Sequence, residues 1–253
     1  MYKFYLFTLF TVFLSNVVFA KTFSTCLNMH VISNPPIGIQ SNDSMNKGVH
    51  WEYLEAIENE SGICIKKVFY PYPRIWQSIE RGQHDGGIVF STPARGHLVE
   101  HVALIRNVQT VVLPIKGKKL QTYEDLSKFI IGKTRATQLN DRFDNDDNLT
   151  LVEVSNYRQA VDMLNLDRIN AVAGSALVLS YNLFTSNTLN KLDLDEKFVL
   201  GSREQWLQIS KKSNHLDKIP KLRQAVKTLH ENGTFDRIML KYYGTNWKKI
   251  NNN

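Results

Sequence analysis

A chain of 253 residues with 43% hydrophobic and 22% charged residues is long enough to bury a core and too apolar to be a disordered segment. Its net charge of +7 is spread along the sequence, with no dense basic block interleaved with aromatics, which argues against nucleic acid as a partner. An anionic ligand or a solvated basic surface accounts for the excess equally well.

The first twenty residues differ from the rest. Lys3 is their only charge, Phe4 to Phe19 is almost wholly apolar or small, and Val18-Phe19-Ala20 supplies a small residue before Lys21. A short basic start, an apolar core and a small-residue end predict a cleavable signal peptide over residues 1–20. The run is short for a membrane span, and no later run is long enough to cross a bilayer. No Cys stands at the cleavage point to carry a lipid. A soluble, exported protein is the expectation. Export also permits a disulfide between Cys26 and Cys64, although sequence leaves two buried thiols equally open.

From Lys21 onward, strand-like and helix-like patterns alternate. The strand-like run Thr22–Leu27 is followed by Asn34-Pro35-Pro36, a loop because Pro lacks a donor and restrains its predecessor. Gly48–Ser61 reads as a helix with Trp51, Leu54 and Ile57 on one face and Gly62 as its stop. A strand over Ile63–Phe69 runs into the ring-rich loop Tyr70-Pro71-Tyr72-Pro73-Arg74. A short helix over Ile75–Glu80 and a strand over Asp85–Phe90 complete a β-α-β-α-β unit, which implies a parallel sheet. Val108–Ile115 reads as a connector. The alternation then restarts with a short helix over Thr122–Ser127, a strand over Phe129–Gly132 and a helix from about Thr137. It continues with a strand over Leu149–Val154, a helix over Asn156–Asn165, a strand over Ile169–Ala173 and a helix over Ser175–Phe184. Trp206–Ser210 brings the chain back to two last helices, Pro220–His230 and Phe235–Tyr243.

The expected architecture is therefore α/β with two lobes, each a mainly parallel sheet flanked by helices. Residues 21–112 and 202–247 form the first lobe, 113–201 the second, and 248–253 a flexible tail. Two crossings make a two-strand hinge and leave a cleft between the lobes, a natural small-molecule site. Ser91-Thr92-Pro93-Ala94-Arg95 lies just beyond the carboxyl end of the third strand, where open α/β sheets bind ligands. Arg95 offers a planar fork matched to a carboxylate, and Thr92 a hydroxyl; the alternative is an ordinary surface loop.

With its neighbours, this motif resembles the extracellular solute-binding protein family 3, the type II periplasmic binding proteins that serve amino-acid ABC importers. Asn34-Pro35-Pro36 is similar to the family's aromatic-Pro-Pro loop, with Asn in place of the aromatic and Ile37 in place of the ring that follows. Gly82-Gln83-His84-Asp85 is similar to its Gly-x-x-Asp, Thr92-Pro93-Ala94-Arg95 to its Thr-Pro-x-Arg, and Glu124-Asp125-Leu126 to its acidic-Asp-Leu. Gly233-Thr234-Phe235 through Tyr242-Tyr243-Gly244 matches its terminal helix. Each motif is weak alone, but five in order over most of the chain imply the type II periplasmic binding protein fold.

The resemblance implies that Arg95 clamps a ligand carboxylate beside the Thr92 hydroxyl. It places Asn34 in the Pro-Pro loop, and Arg135 and Thr137 in the turn before a second-lobe helix, where Arg135 either adds a positive contact or faces solvent. Two departures stand out. The glycine of that turn is gone, leaving Arg135-Ala136-Thr137. The acid that holds an amino acid's ammonium falls on Gly174-Ser175. A buried ammonium without a carboxylate is costly, so the expected ligand is carboxylate-bearing or anionic, with Ser175 at its other end. Tyr72 and Arg74, beside Tyr70 and Trp76, either stack on the ligand or pack the loop. The implied partners are a small molecule and an inner-membrane ABC permease or a membrane sensor, with the protein a periplasmic monomer and no cofactor.

Two rival readings concern enzymes. His97-Leu98-Val99-Glu100-His101 has the His-x-x-Glu-His spacing that lets two histidines on a helix share a zinc, but no third ligand is evident. Dehydratases related to this fold use a carboxylate where Gly174-Ser175 stands, which argues against that chemistry here. No Ser-His-Asp motif, phosphate loop or Cys-x-x-Cys is present.

Overall fold

The computed structural model describes residues 26–41, 45–188, 191–193 and 195–244. The expected leader over residues 1–20 and the tail over 248–253 lie outside the described residues.

The first half of the fold is a β-α-β-α-β unit of β1 (Leu27–Ile32), α1 (Val49–Ser61), β2 (Ile65–Tyr70), α2 (Tyr72–Glu80) and β3 (Gly86–Phe90). β1 pairs in parallel with both β2 and β3. Along β1, Leu27, Met29 and Val31 turn inward with no exposed surface, the period of two expected of a strand. On α1, Val49, Tyr53, Leu54 and Ile57 bury one helical face. Gly62 ends the helix in the left-handed region at φ 62°, its N–H donating to the Glu58 carbonyl.

The chain then crosses along β4 (Val99–Pro114). The second half comprises β5 (Ile130–Thr134), α3 (Asp141–Asp144), β6 (Thr150–Val154), α4 (Tyr157–Asn165), β7 (Ala171–Ser175) and α5 (Ala176–Thr185). β5 pairs in parallel with β6 and β7. β8 (Phe198–Ser210) leads back to α6 (Ile219–Glu231) and α7 (Thr234–Tyr243), which pack on the first half. Leu222, Val226, Leu229, Phe235 and Met239 share a core with α1 and β1, each side chain contributing roughly 1.5–3 kcal/mol by its burial.

The connectors are far longer than expected. β4 has 16 residues and β8 has 13, and they pair antiparallel from Val99↔Ser210 to Val112↔Phe198. β8 also pairs with β3 and β4 with β7, so the two lobes share one eight-stranded sheet, ordered β2-β1-β3-β8-β4-β7-β5-β6. Three register shifts, at His101/Ala103, Leu104/Arg106 and Thr110/Val111, hide this ladder from the sequence. Each bulge moves the buried face by one residue, so the alternation never runs long enough to read.

Cys26 and Cys64 are bridged, with their Cα atoms 4.6 Å apart, at the starts of β1 and β2. The bridge closes a loop over a sequence separation of 38. Cys64→Ser is expected to lower unfolding free energy by about 4 kcal/mol through loop-closure entropy, measured by denaturant titration; an unchanged midpoint would overturn this.

Gly174, on β7, has no room for a side chain: a Cβ there would sit 2.5 Å from the Tyr157 ring. Tyr157 is 6% exposed and hemmed in. Gly174→Ala should therefore cost about 1–3 kcal/mol of stability, checked by thermal unfolding.

Two buried imidazoles set a pH limit. Burial, followed by neighbouring His84, lowers the pKa of His30 from 6.5 to about 4. Burial, followed by the Arg106 guanidinium, lowers that of His50 to about 3. Below pH 6.5 the unfolded chain takes up protons that the folded chain refuses, so stability falls as pH drops from 6.5 toward 4. Urea unfolding at pH 7.5 and pH 4.5 is expected to differ by a few kcal/mol in that direction.

Candidate ligand-binding cleft

A cleft of about 240 Å³ lies where the two halves of the sheet face each other. All six parallel strands point their carboxyl ends at it. Ile32, Phe90, Thr134 and Ser175 are the last or nearly last residues of β1, β3, β5 and β7, while Pro71 follows β2 and Ser155 follows β6. This is the crevice in which open α/β sheets hold ligands. Helices leave the same rim: Tyr72 and Pro73 open α2, Asn156 and Tyr157 open α4, and Ser175 precedes α5. Gln205 enters from the crossing strand β8, and Ile37 and Val178 close the apolar side.

The rim is fixed locally by its own sequence. Asn156 caps α4, its side-chain oxygen accepting from the Gln159 N–H, while the Ser155 N–H and hydroxyl donate to the Gln159 side chain. The Ser175 N–H donates to the Tyr157 hydroxyl at 3.2 Å. Burial pushes the Tyr157 pKa up to about 12, so the ring stays a neutral phenol. The space above Gly174 is thus filled by Tyr157. The turn Arg135-Ala136-Thr137 keeps a left-handed residue without glycine, since Ala136 has φ 58°.

Among the contacts that cross between the halves are hydrogen bonds on either side of the cleft. Asn182 on α5 donates to the Pro35 carbonyl at 3.3 Å, on the loop that carries the cis Pro35–Pro36 peptide. On the far side Arg203 of β8 donates to the Ser91 carbonyl at 2.7 Å and also to the Gln138 carbonyl.

Of the side chains that the sequence singles out, Asn34, Tyr72, Thr137 and Ser175 come together in the cleft lining. Thr92 and Arg95 stand just beyond Phe90 at its edge, outside the lining. Thr92 is 3% exposed and its hydroxyl has no hydrogen-bond partner. The Arg95 guanidinium lies 5.0 Å from the centre of the Trp76 ring, with its Nη1 buried and unpartnered. Arg74 is exposed on α2 and away from the lining. Arg135 also points away, 3.4 Å from Glu153.

The His97–His101 spacing is not realised on a helix. His97 lies in a 3-10 turn and His101 on β4, where it meets the Ser91 hydroxyl at 2.9 Å and the edge of Trp206. The turn and strand point the two rings along different periodicities, so they do not form a shared pair of ligands. Among the described residues no cluster of three metal-binding side chains exists.

Sequence reasoning missed Tyr157, Gln205, Phe90 and Asn156. Asn156 was placed at the start of a helix, but nothing in a single sequence marks that helix end as facing a cleft. Gln205 lies one residue before the run Trp206–Ser210 that the sequence marks, in the part of β8 it does not reveal.

A family model described as bacterial extracellular solute-binding proteins, family 3, matches residues 27–245. No match was found among curated protein sequences. Solved structures share the fold at low identity. A histidine kinase sensor domain with similarity to periplasmic binding proteins has a TM-score of 0.73 and 12% identity, covering 87% of this chain and 96% of that one. The arginine-, lysine-, histidine-binding protein ArtJ from Geobacillus stearothermophilus has a TM-score of 0.71 and 16% identity, covering 90% and 100%. The GluR0 ligand-binding core from Nostoc punctiforme, in complex with L-glutamate, has a TM-score of 0.70 and 19% identity, covering 86% and 99%. With the match spanning most of the chain and the two-lobed fold in place, the protein belongs to the bacterial extracellular solute-binding proteins, family 3.

Proposed function

We propose that this protein is an exported, periplasmic solute-binding protein that captures a small carboxylate-bearing or anionic ligand between its lobes and delivers it to an ABC-type importer. One observation carries the reading: a single cleft is built from the carboxyl ends of all six parallel strands, three from each half. Rotation about β4 and β8 changes the distance between its walls, which is how a two-lobed binder closes on a solute. At about 240 Å³ the space lies below the roughly 300–1,000 Å³ of drug-sized sites and suits a small metabolite.

Binding is favoured over catalysis by the lining itself. Among the described residues it offers hydroxyls, amides and apolar groups, with no carboxylate, imidazole or thiol to move a proton or attack a carbon. Thr92 and Arg95 supply the anionic end. Each keeps a buried donor without a partner beside the cleft, and a ligand carboxylate satisfies both.

Presentation of the ligand to a membrane sensor is a second reading, favoured by the likeness to a histidine kinase sensor domain. Neighbouring genes separate the two, permease and ATPase genes supporting import and a sensor gene supporting signalling.

Native mass spectrometry of the purified protein is expected to show one bound small molecule. Titrated by calorimetry, that molecule should bind Arg95→Ala about 10- to 100-fold more weakly, the loss of one charge-assisted contact. Unchanged affinity in the folded variant would remove Arg95 from the site.

A further inference from the structure

We infer that the ligand carries negative charge and no cationic group: it is a small organic carboxylate whose other functional groups are hydroxyl, carbonyl or apolar. This deepens the solute-binding reading and rests on it. Among the described residues, none of the side chains lining the cleft is Asp, Glu, Lys, Arg or His, although the chain as a whole carries 31 basic and 24 acidic residues. A cationic group on a ligand therefore meets no opposite charge among the described lining residues.

The backbone breaks this neutrality in one direction. α2, α4 and α5, of 9, 9 and 10 residues, all present their amino-terminal ends at the rim. Each end carries partial positive charge from its aligned peptide dipoles. Beside them, Thr92 is almost wholly buried with an unpartnered hydroxyl, and Arg95 holds a buried, unpartnered Nη1. Every one of these features favours an anion.

A cation finds the reverse. Three acids close in sequence to rim residues are already engaged. Glu153 faces Arg135, Asp144 pairs with Lys133 at 2.5 Å and accepts from the Leu139 and Asn140 N–H groups, and Glu204 accepts from the Trp206 ring. The buried Tyr157 hydroxyl is neutral. An α-ammonium would thus lose its water without gaining a carboxylate, a cost that hydroxyl and amide groups only partly offset. A neutral hydroxyl at the same place loses little, because the hydroxyls of Thr134, Thr137, Ser155 and Ser175 are at hand. Ile32, Ile37, Phe90 and Val178 leave room for an apolar body.

Matched pairs that differ only in that group test the inference. Thermal shift and calorimetry would compare lactate with alanine, 3-phenyllactate with phenylalanine and 2-hydroxyglutarate with glutamate, with putrescine as a cation carrying no carboxylate. In the pair that fits, the hydroxy acid is expected to bind at least about tenfold more tightly than the amino acid, and putrescine not at all. Ser175→Asp, which places a carboxylate at the start of α5, is expected to narrow or reverse that gap. An amino acid that binds as tightly as its hydroxy partner, or a gap untouched by Ser175→Asp in the folded variant, overturns the inference. So does an amine found in the molecule that co-purifies with the protein. A protein that carries no small molecule and shifts with no compound overturns instead the solute-binding reading beneath it.

Discussion

The antiparallel ladder between β4 and β8 holds the two lobes in one sheet, and the cleft exists because of where that ladder sits. Each half contributes three parallel strands whose carboxyl ends converge on the same crevice. Without a shared pair of long strands, the halves would be two small α/β layers with no fixed relation. The three register shifts fall along the ladder. A bulge leaves local backbone groups outside the regular pairing and sharpens the twist, so the joint between the lobes combines length with points of weaker regularity. Thr110 fastens it sideways, its hydroxyl donating to the Leu139 carbonyl at 3.1 Å and to the Gly201 carbonyl at 3.2 Å. The second-half loop that bears Thr137 is thereby tied to the crossing strands.

Electrostatics at the cleft follow from packing as much as from charge. Tyr157 opens α4, fills the space over Gly174 and accepts from the Ser175 N–H, so three positions are settled by one ring. A side chain of any size at 174 would displace that ring. The phenol that fills this space stays neutral, its pKa pushed up to about 12 by burial. Arg203 adds a bridge from the Ser91 carbonyl to the Gln138 carbonyl, which spends its donors on backbone.

Much of the fold was legible in the sequence because local signals agreed with the tertiary outcome. Leu54 and Ile57 on the buried face of α1 and the glycine stop at Gly62 appear where the pattern puts them, whereas Trp51 is only half-buried. β1 runs over Leu27–Ile32, meeting the strand read over Thr22–Leu27 only at Leu27, with 22–25 outside the described residues. β4 and β8 did not follow the pattern, since their bulges break the alternation that marks a strand. The left-handed residue at Ala136 was also hidden, because alanine rarely takes that conformation. The site divides along the same line. Asn34, Tyr72, Thr137 and Ser175 were found through motifs at strand ends, and they line the cleft. Tyr157 and Gln205 face it through long-range packing, which no local pattern encodes. The His97–His101 spacing shows the opposite error, a helical motif on a stretch that the sheet claims.

The return of the chain to the first lobe has a consequence for the order of folding. Phe235 and Met239 of α7 fill the core around α1 and β1, and the Tyr242 hydroxyl accepts from the Gly48 N–H at 2.7 Å. The first lobe therefore lacks part of its interior until the end of the polypeptide has been made. The second lobe, contiguous in the chain between β4 and β8, has no such wait. Contacts between residues nearly two hundred positions apart close slowly because of their loop entropy. During synthesis the amino-terminal strands therefore stay unsatisfied until α7 has been made.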